Sequence, residues 1–110
     1  MGPIKTIKTF FVLVVYIPES HLQCVKQALF AADAGKIGNY HQCCWQIAGT
    51  GQFRPVSGHK AFIGEIDKLS TVKEFRVEMV CKKQDLKAIT QALKKSHPYE
   101  TPAFHFYQTV

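Results

Sequence analysis

Only two of the fourteen basic side chains are arginines, Arg54 and Arg76, so a net charge of +6 rests almost wholly on lysine. Cysteine is sparse as well. Cys24, Cys43, Cys44 and Cys81 follow no disulfide-framework spacing, and no Cys-x-x-Cys or paired-histidine motif marks a metal centre. The four are expected to be reduced thiols of a cytoplasmic protein. No apolar run approaches the length of a membrane span. Lys5 and Lys8 before Phe10–Ile17 imitate a signal peptide, but the run is short, ends at Pro18-Glu19 and lacks a small-residue cleavage pattern, so secretion is not expected. Met1-Gly2 with Thr6 meets a myristoylation pattern too short to carry weight. There is no low-complexity tract or internal linker. Residues 1–110 therefore read as one domain, with 1–9 as an N-terminal lead-in.

What is present is ordinary for a globular protein: 46% apolar and 20% charged residues, enough to build a core without metal or disulfide staples. Phe10–Ile17 is β-branched and aromatic and reads as a strand. Residues 19–34 carry Leu22, Val25, Leu29 and Ala32 at helical spacing, with Gly35 as a stop. Residues 43–48 form a second strand, and Gly49-Thr50-Gly51 opens a connection reaching about Lys60. From Phe75 to Cys81 apolar residues alternate with Arg76 and Glu78, the pattern of a half-buried strand. A second helix is expected over 84–96 on the stripe Leu86, Ile89, Leu93, and a last strand over 103–108. The order β-α-β-β-α-β predicts an α+β ferredoxin-like sandwich, an antiparallel sheet with both helices on one face.

That fold leaves one sheet face open. None of the eight residues of the first strand is charged, and the last strand sends Phe104 and Phe106 to one face, His105 and Tyr107 to the other. An apolar open face predicts a homo-oligomer. On the helices, Lys82, Lys83, Lys87, Lys94 and Lys95 cluster, which reads first as a solvated face and second as a surface for an anionic partner.

The candidate site residues lie in three places. Gly35-Lys36-Ile37-Gly38-Asn39-Tyr40 presents Asn39 and Tyr40 at a loop tip. Gly49-Thr50-Gly51 followed by Arg54 offers backbone N–H groups, Thr50 and a guanidinium to a small anion, although it lacks the Lys-Ser/Thr of a P-loop. His97-Pro98-Tyr99-Glu100-Thr101-Pro102 is a stiff corner holding His97, Tyr99 and Glu100, because each proline fixes its own φ and biases its predecessor. No nucleophile stands beside His97 and Glu100, so no enzyme is expected. His41 and Cys43, two apart, are the candidate ligands of a divalent metal, to share one strand face if the second strand begins early. The third strand lacks the basic-Gly-aromatic motif of RNA-binding sheets, so nucleic acid is not an expected partner.

The chain resembles the insertion domain of the Nif-three-like proteins, which is similar in fold to CutA and the PII signalling proteins. The residues that carry the resemblance are Pro18-Glu19-Ser20-His21-Leu22, Ala34-Gly35-Lys36-Ile37-Gly38-Asn39-Tyr40, Gly49-Thr50-Gly51-Gln52-Phe53-Arg54-Pro55, Phe62-Ile63-Gly64-Glu65 and His97-Pro98-Tyr99-Glu100. In the larger relatives this module interrupts a dinuclear-metal core, which is absent here. The resemblance implies a free-standing CutA-like module, trimeric, acting as a regulatory or ligand-binding unit with a small anionic ligand or a regulatory protein as partner. CutA-like divalent-metal binding is the alternative. Thr101 and His105 stand where relatives carry carboxylates, Cys44 where a Ser is common and Trp45 where Phe is, which argues against a hard-cation site at the tail.

Overall fold

A computed structural model describes residues 9–57 and 62–109. Most of the N-terminal lead-in, and the end of the connection expected to reach Lys60, lie outside the described residues. Among those described, β1 (Phe10–Pro18), α1 (Leu22–Ala31), β2 (Trp45–Phe53), β3 (Ser70–Lys82), α2 (Leu86–Ser96) and β4 (Phe104–Gln108) follow one another, each helix entered through a short 3-10 turn. The sheet runs in the order β2-β3-β1-β4 and is antiparallel throughout. This is the expected α+β sandwich.

Register decides which residues meet the helices. β1 pairs with β3 so that Leu13 faces Met79 and Val15 faces Val77, while β4 adds Phe106 opposite Leu13 and Phe104 opposite Val15. These side chains form the core with Leu22, Val25 and Leu29 of α1 and Ile89 and Leu93 of α2, all buried. The helical spacing read from sequence therefore marks the inward stripes. α1 ends at Ala31, earlier than expected, and the chain turns through Asp33 and Gly35 at positive φ (77° and 76°). The Gly35 amide donates to the Val80 carbonyl at 2.9 Å and its carbonyl accepts from the Cys43 amide at 2.8 Å. A Cβ on Gly35 would come within 2.6 Å of the Cys43 carbonyl oxygen, so the left-handed turn and the close approach both require glycine.

The connection expected at Gly49-Thr50-Gly51 is not a loop. β2 continues through both glycines to Phe53, pairing Thr50 with Lys73 and Gly51 with Val72. The pairing holds because β3 starts at Ser70, five residues before its alternating stretch, and supplies a partner strand for the whole of β2. Alternation failed to show this extension because Ser70–Glu74 has no apolar side to bury.

Across the sheet from the helices, Trp45 and Ile47 of β2 and Tyr107 of β4 are each more than half exposed (56%, 52% and 55%). Tyr16, Glu74, Arg76 and Glu78 share that face by register. The first and last strands are clamped at their far ends: the Thr109 amide donates to the Phe10 carbonyl at 2.7 Å, and the Phe10 amide donates to the Thr109 hydroxyl at 3.2 Å.

Candidate functional site

The proline-flanked tail is a folded corner built around a buried imidazole. His97 caps the end of α2 in extended conformation and is only 5% exposed. Its Nε2 lies 2.7 Å from the Tyr16 carbonyl oxygen, which can only accept, so Nε2 carries the proton. Nδ1 then accepts the Tyr99 backbone N–H at 3.2 Å. The ring is thus fixed as one neutral tautomer joining the end of β1 to the tail. Burial lowers its pKa, offset in part by the Tyr16 carbonyl and the Glu74 carboxylate. Through Nδ1 the side chain also caps the turn that follows the helix.

Tyr99 follows from that anchor. Its ring lies 4.7 Å from the His97 ring and tilts against Phe53 and Phe62 at 6.5 and 6.3 Å. Its hydroxyl donates to Glu74 Oε2 at 2.9 Å, and burial followed by the carboxylate pushes the phenol pKa up, so it stays protonated. A Cβ on Gly51 would collide with the Glu74 carboxylate. The second glycine of the Gly-Thr-Gly stretch therefore leaves room for the carboxylate that holds Tyr99.

Beside this pair opens a cavity of about 310 Å³ lined by Phe53, Arg54, Phe62, Glu74, Tyr99 and Glu100 among others. Arg54 has no ion pair among the described residues. The cavity wall is mostly apolar and aromatic, and carries one guanidinium, Arg54, and two carboxylates, Glu74 and Glu100.

Of the residues singled out from sequence, Arg54, Tyr99 and Glu100 line this cleft, and His97 supports it from behind. Thr50 is an exposed mid-strand residue of β2 and does not line it. Asn39 and Tyr40 sit in a tight turn in which Ile37 and Tyr40 exchange both backbone hydrogen bonds, at 2.9 and 2.8 Å, around Gly38 at φ 54°. That turn follows the Gly35 contact with Val80 and so lies toward the opposite end of β3 from Glu74. Tyr40 is 74% exposed there. Within one chain the two loops cannot share a ligand.

His41 and Cys43 precede β2, which begins at Trp45, so the shared strand face expected for them does not form. Cys43 Sγ contacts the His41 carbonyl at 3.8 Å, and among the described residues no group of three or more His, Cys, Asp or Glu is placed to hold a metal ion. Glu74, Phe53, Phe62 and Tyr16 join the site without being among the candidates expected from sequence. Phe53 and Phe62 stood in the family motifs, whereas Glu74 carried no signal beyond being a charge on a strand.

The fold is that of a CutA/PII-like α+β domain. No family model matches the chain. Among solved structures, CutA from Archaeoglobus fulgidus superposes with a TM-score of 0.62 over 88% of this chain and 80% of its own, at 14% identity, a likeness of fold alone. A Bacillus cereus protein related to NIF3 superposes with a TM-score of 0.81 at 31% identity, over 96% of this chain and 27% of that one. Curated relatives described as GTP cyclohydrolase 1 type 2 homologs match at 44% identity over 95 residues in Bacillus subtilis and 41% over 97 residues in Mycobacterium leprae. They are covered over 86% and 88% of this chain, which spans about a quarter of their length (26% and 25%). The chain is the counterpart of the CutA/PII-like domain of the Nif-three-like proteins.

Proposed function

We propose that the chain is a non-enzymatic, homo-oligomeric ligand-binding module whose cleft takes a small anion, with Arg54 meeting the charge and Phe53, Phe62 and Tyr99 the body of the ligand. The observation that carries this reading is the Arg54 guanidinium, without an ion pair among the described residues, on the wall of an aromatic cavity. Against catalysis, both nitrogens of His97 are committed to backbone groups and the phenol of Tyr99 is held protonated by burial and Glu74. The cyclohydrolase description belongs to relatives of which this chain spans about a quarter (25% and 26%).

The bare face with Trp45, Ile47 and Tyr107 supports the oligomer, and the family resemblance favours a trimer. β2 supports it too: it is an edge strand of nine residues without a single charge or proline to block further pairing. The four free cysteines fit a reducing, cytoplasmic setting, and no helix among the described residues is long and apolar enough to cross a membrane.

Thermal-shift screening of phosphorylated and carboxylated metabolites tests the site. A ligand present at a hundred times its Kd should stabilise the protein by about 2.7 kcal/mol, and Arg54→Gln should remove most of that shift. If no anion stabilises the native protein, or Arg54→Gln responds as strongly as the native chain, the cleft is not an anion site.

A further inference from the structure

Some lysines of this protein have side-chain partners. Lys36, Lys68 and Lys73 each hold a carboxylate at 2.7 Å, and Lys26 holds the Gln46 side-chain oxygen at 2.9 Å. In contrast Lys83, Lys87, Lys94 and Lys95, in and around α2, make no ion pair among the described residues, and all four are exposed. Lys87 and Lys94 are seven residues apart, two helical turns, and so lie on one stripe with Gln91 between them.

Their positions along α2 are informative. Lys94 and Lys95 occupy the last turn, where the helix dipole favours positive charge. Lys83 and Lys87 occupy the opposite end, where it disfavours positive charge, and the one acid between them is Asp85 at the N-cap. One carboxylate among Lys83, Lys87, Lys94 and Lys95 leaves most of the positive charge of this face uncompensated. We infer that the outer face of α2 is a docking surface for an acidic polypeptide segment, whose carboxylates supply the counter-charge that Asp85 alone does not.

The geometry favours a polypeptide over other polyanions. α1 packs beside α2, and two adjacent helices of about 10 Å diameter make a layer wider than the ~12 Å DNA major groove, so the stripe cannot enter it. The exposed positions of the segment, Lys83, Gln84, Lys87, Ala88, Gln91, Lys94 and Lys95, include no arginine and no aromatic ring to stack on a base, and no large apolar side chain to enter a bilayer. The face also lies across the sheet from Trp45, Ile47 and Tyr107, so self-association through that open face leaves it free.

The test is an anisotropy titration with a labelled oligoglutamate peptide at low ionic strength, on the native chain and on Lys83→Glu/Lys87→Glu. The native chain should bind, binding should weaken as salt is raised, and the double variant should lose about tenfold or more of the affinity. The same variant should melt about 2–5 °C higher, because its acids now suit the helix start. Lys68→Glu, which shifts net charge in the same sense elsewhere, should bind as the native chain does. Absence of peptide binding, undiminished binding by the double variant, or tighter binding of a DNA duplex or of anionic phosphatidylserine vesicles than of the peptide would each overturn the assignment.

Discussion

His97 is held at both ring nitrogens in a buried setting, and this makes the corner acid-sensitive. Its pKa in the folded chain is below the ordinary 6.5, first because burial penalises the imidazolium, with His21 acting in the same direction and Tyr16 and Glu74 against it. The unfolded chain therefore binds the proton more readily. The stability that His97 contributes is complete above about pH 6.5 and is lost as pH falls from there through the folded value. Protonation also takes the Nδ1 lone pair that accepts the Tyr99 amide. Urea midpoints between pH 7 and pH 5 should fall for the native chain and fall less for His97→Gln. Equal slopes in the two proteins would show that His97 is not the group responsible. Sequence made this residue visible, since a histidine between a helical stripe and a proline has few ordinary roles. It could not show the partner: the Tyr16 carbonyl is a backbone atom 81 positions away, and any residue type would supply it.

At the scale of elements, the β2–β3 ladder is what aims the site. Gly49 and Gly51 read as a loop because glycine weakens a strand and carries no pattern, yet β3 imposes extended structure on them. Gly51 is where that choice meets function, because a Cβ there collides with the Glu74 carboxylate that accepts from Tyr99. Gly51→Ala should cost about 1 kcal/mol through the lost Tyr99 hydrogen bond. A double-mutant cycle checks this: Tyr99→Phe should destabilise the native chain but add little in the Gly51→Ala background. Additive losses would mean that Gly51 and Tyr99 are independent. The core elements were legible for the opposite reason. Leu22, Val25, Leu29, Ile89 and Leu93 repeat with the helical period, and burial follows period directly. The cleft was legible only where it coincides with motifs, at Arg54, Tyr99 and Glu100. Glu74 reaches the cleft through strand register, which no local pattern encodes.

For the whole molecule, the sheet divides two kinds of surface: lysine-rich helices on one side, an exposed aromatic and aliphatic face on the other. The proposed assembly covers Trp45, Ile47 and Tyr107 with another copy, so light scattering after size exclusion should return an oligomer at micromolar concentration. Ile47→Lys should shift it to monomer without unfolding the chain, since Ile47 already faces solvent in a single copy. A native chain that runs as a monomer would remove the physical ground for the assembly.

The clamp between Phe10 and Thr109 has a consequence of its own. Because the two strands that carry the described ends are neighbours and close on each other through three hydrogen bonds, at 2.7, 2.9 and 3.2 Å, the domain has its entry and exit at one point. A surface loop of an unrelated host, cut and spliced to these two residues, would span little more than a hairpin and lose little closure entropy. The fold is therefore a transplantable cassette, and a host receiving it would gain a sheet, a cleft and a basic helix without any rerouting of its own chain.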